Sequence, residues 1–347
     1  MSVKLKKLNE QVIVLTGATS GIGLVTARQA AEAGARLVLA ARDADALDTL
    51  AQELRQRNTE VATVAADVGN PSDVERIGRT AIEHFGRVDT WINNAGISVF
   101  GTSEQVALED MQRVMQTNFW GVVHGSLQAV KLMKPREGGA IINLGSEASD
   151  RSVALQGSYA ASKHAVKAFT ESLRMELEKD KAPISLTLIK PAGIDTPFTA
   201  HAKNYMDYEP DLPPPIYAPE LVAGAILHAA QTPERDLFVG GRAKMMSVTA
   251  GLVPRPLDRL MRAMIFRQQQ QTDVPSSPAR RDALHAPDPT HELSERNGKL
   301  PHHTFERSSY TAYQMRSGPV KTVLVGGALL AAWGLMRRPG RHTLRRA

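Results

Sequence analysis

An apolar run, Val12-Ile13-Val14-Leu15, leads straight into Thr16-Gly17-Ala18-Thr19-Ser20-Gly21-Ile22-Gly23 and then into a helical pattern through Ala33. That succession leaves little choice of local structure. A short β-branched run forms a strand, the glycines permit a tight turn, and Gly34 stops the helix behind them. The order strand, glycine turn, helix aims the first N–H groups of the helix and the positive end of its dipole at the turn, which makes a cradle for phosphate. The alternation then continues along the chain. Arg36–Ala40, Val61–Ala65, Val88–Ile92, Ala140–Leu144, Ile184–Ile189 and Asp236–Val239 read as strands. Asp43–Arg57, Ser72–Phe85, Leu108–Met133, Ser158–Lys179 and Pro219–Ala230 read as helices. Alternating elements imply parallel strands joined by right-handed crossovers, and unbroken apolar strands imply that both sheet faces are covered. The expected fold class is therefore α/β: a doubly wound parallel sheet of Rossmann type in a single domain over 8–241, followed by a C-terminal extension, helical and then disordered.

Two further patterns suggest chemistry. The second strand runs out through Ala40-Ala41-Arg42-Asp43. Dinucleotide sites that take NAD place an acid at this strand end to hold the ribose 2′-hydroxyl, whereas an arginine pairs with a 2′-phosphate by charge and forked hydrogen bonds. Ala41 and Arg42 thus favour NADP(H) over NAD(H), although an offset of one residue brings in the carboxylate of Asp43. Further on, Tyr159 and Lys163 stand four apart in a helical segment and share one face. A phenol titrates near pH ~10 when unperturbed, and a nearby cation favours its phenolate. Alone, such a pair also describes an ordinary helical surface.

The glycine spacing TGxxxGxG, Asn93-Asn94-Ala95-Gly96 after the fourth strand, and Ser146 placed 13 residues before the Tyr159/Lys163 pair together resemble the classical short-chain dehydrogenase/reductase (SDR) family, over roughly Leu8 to Gly241. The resemblance implies an oxidoreductase that moves a hydride between a nicotinamide cofactor and an alcohol or carbonyl carbon. It implies a catalytic set of Asn118, Ser146, Tyr159 and Lys163, in which Ser146 binds the substrate oxygen, Tyr159 exchanges its proton, Lys163 also holds the nicotinamide ribose, and Asn118 supports a proton relay. It implies a cofactor set of Gly17, Thr19, Ser20, Gly21, Ile22 and Gly23 at the pyrophosphate, Asp67 and Val68 at the adenine, Asn94, Ala95 and Gly96 beside the dinucleotide, and Pro191, Gly193, Ile194 and Thr196 at the nicotinamide, joined by Arg42, Tyr159 and Lys163. Asn93 is implied to be structural. Ala192 stands where the family has glycine. The family forms homo-oligomers through paired helices. Phe198–Tyr217 falls in its variable substrate lid, and the aromatic and proline content there suggests a hydrophobic substrate.

The chain has no cysteine, so disulfides, thiolate metal sites and cysteine nucleophiles are excluded, and no metal site is read. Met1–Glu10 carries lysines without an apolar core behind them, and no secretory signal is read. Charge is uneven. Residues 242–347 hold 18 Lys and Arg against 7 Asp and Glu, while the whole chain is only +6. Such a basic tail suits an anionic membrane surface, nucleic acid less specifically, or simple solubility. Within 242–271, Leu257, Leu260, Met261, Met264 and Ile265 make a helical stripe that can dock on the enzyme or lie on lipid. Residues 272–319 are polar and read as a disordered linker. Residues 320–347 pair an apolar stretch with arginines, which suits a cytoplasmic-facing, membrane-associated end or a helix docked on protein. No aromatic-interleaved basic module indicates nucleic-acid binding. Besides the enzyme, two other classes fit a chain of this kind: a non-catalytic dinucleotide-binding regulator, and a membrane-tethered interaction protein.

Overall fold

Strand β1 (Val12–Thr16) is buried along its whole length, and its alternation feeds two separate cores. In the computed structural model, which describes residues 3–252, 254–297 and 302–316, Ile13 and Leu15 point into one core and Val12 and Val14 into the other. With β2 (Arg36–Ala41), β3 (Val61–Ala65), β4 (Thr90–Asn93), β5 (Gly139–Leu144), β6 (Ile184–Pro191) and β7 (Asp236–Val239) it forms a parallel sheet of order β7-β6-β5-β4-β1-β2-β3. The register runs from Val12↔Arg36 to Thr16↔Ala40 on one side of β1 and from Ile13↔Thr90 to Leu15↔Ile92 on the other.

The helices are α1 (Gly21–Glu32), α2 (Ala44–Gln56), α3 (Pro71–Phe85), α4 (Leu108–Met115), α5 (Gly121–Met133), α6 (Gly157–Lys179), α7 (Phe198–His201), α8 (Pro219–Ala229), α9 (Gly241–Leu252), α10 (Pro254–Gln268) and α11 (Ser309–Gln314). One sheet face is closed by apolar residues of α1, α2 and α8, such as Leu24, Leu50 and Ile226. The other is closed by Ile77 of α3, Met133 of α5 and Leu173 of α6. Each such side chain contributes roughly 1.5–3 kcal/mol by leaving water. Successive strands are added outward to β3 and then, on the other side of β1, from β4 to β7. The direction reverses between β1 and β4, where a doubly wound sheet opens a crevice at the carboxyl ends of its strands.

The helical reading of Leu108–Met133 holds with one interruption. A π-helical turn, Gln116–Trp120, separates α4 from α5 and contains Asn118. Such turns displace the local register and occur at functional positions.

The polar stretch read as a disordered linker is laid against the domain in its described parts. Gln270–Pro275 pairs antiparallel with Tyr208–Pro210, and Thr304–Phe305 pairs parallel with Ile216–Tyr217. Arg280 donates to the carbonyls of Thr199, Ala200 and Ala202 and to Glu209. Arg296 bridges Glu220 and Glu306, and Leu284 is fully buried. The partners of these polar groups lie far away in sequence, so local composition does not reveal them. Among the described residues, no helix is long and apolar enough to cross a membrane. The segment 320–347, read as a membrane-associated end, lies outside the described residues.

Candidate active site

The glycine turn after β1 is built around close backbone approaches. Gly17 has φ +65°, and a Cβ there would lie 2.8 Å from Ala95 Cα; a Cβ on Gly23 would lie 1.8 Å from Gly17 O. Asn94 Nδ2 donates to the carbonyls of Thr16 and Gly17, at 3.0 and 2.9 Å, and so fixes the turn against the loop after β4. The Asn94 side chain thus acts on the backbone of the cradle. At the N-terminus of α1, Gly21 N donates to Ser294 O at 2.9 Å and Thr196 packs against Gly21.

The cleft next to this turn is lined by Gly17, Thr19, Ser20, Ala41, Arg42, Asp67, Val68, Ala95 and Gly96. These are sequence-assigned cofactor residues, apart from Ala41, and the fold brings them to one place. Three buried polar atoms there lack a hydrogen-bond partner among the described residues: Thr117 Oγ1, His201 Nε2 and Glu292 Oε2. Orphaned polar atoms in a shaped cleft call for a polar ligand, so the donor set fits a dinucleotide.

The offset between Arg42 and Asp43 is resolved by local structure. Asp43 caps α2, accepting from Ala46 N at 2.9 Å, so its carboxylate is committed to the helix. Arg42 lies in the cleft, its guanidinium donating to the carbonyls of Ala283 and Leu284. Asp67 is paired with Arg113 at 2.6 Å and accepts from Gly69 N, and these bonds hold its carboxyl below the usual range against the opposing effect of burial. Arg113, His201 and Glu292 were invisible to sequence reasoning because no local pattern marks them.

At the end of β5, Ser146 caps a short helical turn, Glu147–Ser149, and accepts from Ala148 N at 3.1 Å. Its hydroxyl lies next to Tyr159 and lowers the phenol against the rise that burial causes. Tyr159 packs edge-on against Phe198 at 5.3 Å between ring centroids. Lys163, one turn along α6, lies 5.8 Å from the Tyr159 ring centroid and donates to Leu144 O at 2.7 Å. Asn118 is fully buried, exchanging bonds with the Ile97 backbone and donating to Ser162. A Cβ on Gly96 would lie 3.6 Å from Asn118 Oδ1 and 3.9 Å from Lys163 Nζ, so Asn118 and Lys163 border one space beside Gly96.

The electrostatics differ from the expectation that Lys163 depresses the phenol. Burial pushes Tyr159 up to about 12, only partly offset by Ser146. Burial also pushes Lys163 down to about 8. The reason is geometric, since the ammonium hydrogen-bonds to a backbone carbonyl and not to the phenol oxygen. Tyr159 is therefore held as a neutral proton donor.

After β6, Gly193–Ile194 pairs with Ile216–Tyr217, which sets Pro191, Gly193, Ile194 and Thr196 along a second cavity. This cavity, of about 280 Å³, is walled by Phe198, Leu212 and Pro213 of the lid and by Leu257, Met261 and Ile265 of α10. Leu257, Met261 and Ile265 of the apolar stripe thus face the enzyme, while Leu260 and Met264 are exposed. Arg242 pins the arrangement, pairing with Glu147 beside Ser146 and donating to the carbonyls of Pro213 and Pro214. Nearby, His201, Asp288 and His291 bring donor atoms within 4.8 Å of one another. Asp288 is already bonded to His291 and Thr290, and burial, with the neighbouring His291, pushes His201 down to about 4.

A family model described as short chain dehydrogenase matches residues 11–206. The uncharacterized oxidoreductase YxnA of Bacillus subtilis (strain 168) is 46% identical over 339 residues, spanning 97% of this chain and 93% of that protein. Dehydrogenase/reductase SDR family member 7B of Bos taurus is 38% identical over 197 residues, 55% of this chain and 60% of its own. Among solved structures, an alcohol dehydrogenase from the archaeon Thermococcus sibiricus, complexed with 5-hydroxy-NADP, aligns with a TM-score of 0.58 at 26% identity, covering 66% of this chain and 95% of that one. A model match over more than half the chain and a relative of nearly full length agree with the sheet order, and the chain belongs to the classical short-chain dehydrogenase/reductase family, as an oxidoreductase that works with a nicotinamide dinucleotide.

Proposed function

We propose that this enzyme interconverts a secondary alcohol and a ketone, or a primary alcohol and an aldehyde, on a hydrophobic substrate, with NADP(H) as the preferred cofactor. The observation that carries this reading is the placing of Ser146 and Tyr159 next to each other, beside an apolar cavity at the nicotinamide end of the crevice. When bound, the nicotinamide supplies the hydride to the carbonyl carbon, or takes it up in the reverse direction. The chain's own groups do the rest. Ser146 and Tyr159 hold the carbonyl oxygen through their hydroxyls, and Tyr159 gives its proton to that oxygen as negative charge develops. Lys163 and Asn118 stand behind Tyr159 and form the route by which its proton is restored. The lid and α10 keep water from the reacting carbon. The exposed Trp120 and Leu127 around α5 and Met175 on α6 support the homo-oligomer that paired helices would make.

A panel of lipophilic ketones and alcohols assayed with NADPH and NADH tests this reading. NADPH-dependent reduction of apolar carbonyls is expected, and an absence of turnover across the whole panel with either cofactor would remove the proposal. Arg42→Ala should weaken NADPH binding about tenfold, the scale of one charge-assisted contact, and leave NADH nearly unchanged. Equal weakening of both, by calorimetry, would assign Arg42 to holding the segment at Ala283 and Leu284 instead.

The pH dependence follows from the two shifted groups. Tyr159 remains a proton donor across the working range, since its value is raised to about 12. Lys163 is charged below about 8 and loses its charge above it. The kcat/KM for carbonyl reduction should therefore be level near pH ~7 and fall by about tenfold per pH unit once Lys163 deprotonates. A profile that stays flat to pH ~10 would remove the Lys163 charge from the mechanism.

A further inference from the structure

We propose that Glu292, delivered by the C-terminal segment, is a cofactor-discriminating residue whose carboxylate receives the hydroxyls of an unphosphorylated adenosine ribose and opposes the 2′-phosphate that Arg42 attracts. This inference rests on the reading of the cleft as the dinucleotide site. The end of β2 offers no acid, because Ala41 has none and Asp43 is occupied in capping α2. The carboxylate missing there is supplied from the far end of the chain. Glu292 lines the same cleft as Thr19, Ala41 and Arg42. Its Oε2 is buried without a partner.

The segment holds this side chain in place on both sides of the cleft. On the glycine-turn side, Leu293 N donates to Thr19 O at 2.8 Å, and Gly21 N donates to Ser294 O at 2.9 Å. Glu295 pairs with Arg28 at 2.6 Å, and Asn297 bonds to Asp195 and Thr199. On the other side, the carbonyls of Ala283 and Leu284 receive Arg42. The backbone that carries Glu292 therefore cannot leave the crevice without breaking a run of bonds.

The chemistry then separates the two cofactors. A carboxylate oxygen only accepts hydrogen bonds, and a buried one without a donor is costly. The 2′- and 3′-hydroxyls of an NAD(H) ribose are donors and satisfy it. A 2′-phosphate offers negative charge in place of a donor and meets repulsion from Glu292 while it is drawn by Arg42. Arg42 and Glu292 thus pull in opposite directions, and the cofactor ratio is set by the pair.

The test is the equilibrium binding of NADPH and NADH to the full chain, by calorimetry or quenching of intrinsic fluorescence, for wild type, Glu292→Gln, Glu292→Ala and Arg42→Ala. Glu292→Gln keeps the shape of the side chain and removes its charge. It should tighten NADPH about tenfold and loosen NADH about threefold. Glu292→Ala should shift the ratio of the two affinities in the same direction, and serves if the glutamine variant fails to fold. A ratio within about twofold of wild type in a folded Glu292 variant overturns the inference. If Arg42→Ala loses NADPH preference while the Glu292 variants change nothing, the inference falls and the Arg42 reading stands. If none of the variants moves the ratio, both fall.

Discussion

Tyr159→Phe lowers kcat/KM for carbonyl reduction by about 10³-fold and leaves NADPH binding in place, within the range set by losing a positioned general acid. The substitution removes one hydroxyl and nothing else. The ring keeps its edge-on contact with Phe198, and Lys163 keeps its bond to Leu144 O. The lost group is the one next to Ser146 and held neutral by burial, so the developing charge on the substrate oxygen would have Ser146 alone to meet it. Steady-state turnover and cofactor titration on the same preparation separate the two effects. Turnover within threefold of wild type would take Tyr159 out of the chemistry, and a matching loss of NADPH affinity would make it a binding residue.

A second large effect concerns stability. Asn93→Ala should destabilise the fold by about 3–5 kcal/mol, because it strands several buried polar groups at once. Asn93 Oδ1 accepts from Trp91 Nε1 at 2.9 Å, and its Nδ2 donates to Asn143 Oδ1 at 2.8 Å and to Ser126 Oγ at 3.1 Å. Asn143 continues the chain of bonds to Thr170. Together these tie β4, β5, α5 and α6 to one another below the crevice. Gly125 leaves the room for this network, since a Cβ there would lie 2.0 Å from Asn93 Oδ1. Urea unfolding of the variant measures the loss, and a change under about 1 kcal/mol would show that the network relaxes around the gap.

What could be read in the sequence was whatever depends on local order. The strands are apolar runs between turns and helices, so their number and direction follow from patterning. The glycine turn is legible because φ and close contact demand particular residues at Gly17 and Gly23. Tyr159 and Lys163 are legible because helix geometry fixes their common face. The rest depends on partners distant in the chain. The helix through Asn118 gave no sign of its π turn. Lys163 stands one turn from Tyr159 as expected, yet its bond goes to Leu144 O, and proximity in sequence does not specify that. Asp43 had two local roles open to it, and only the observed cap shows which one it fills. The polar residues after 270 resemble a linker until Arg280, Arg296 and Glu292 are seen against their targets.

The roof over the dinucleotide crevice also has a consequence for synthesis. Ribosomes deliver the sheet first and residues 283–297 later, after α9 and α10. At about 5–20 residues per second, the nascent enzyme spends on the order of several seconds with its strands assembled and its crevice uncovered. A dinucleotide arriving in that interval meets an open groove, and residues 283–297 close over it when they emerge.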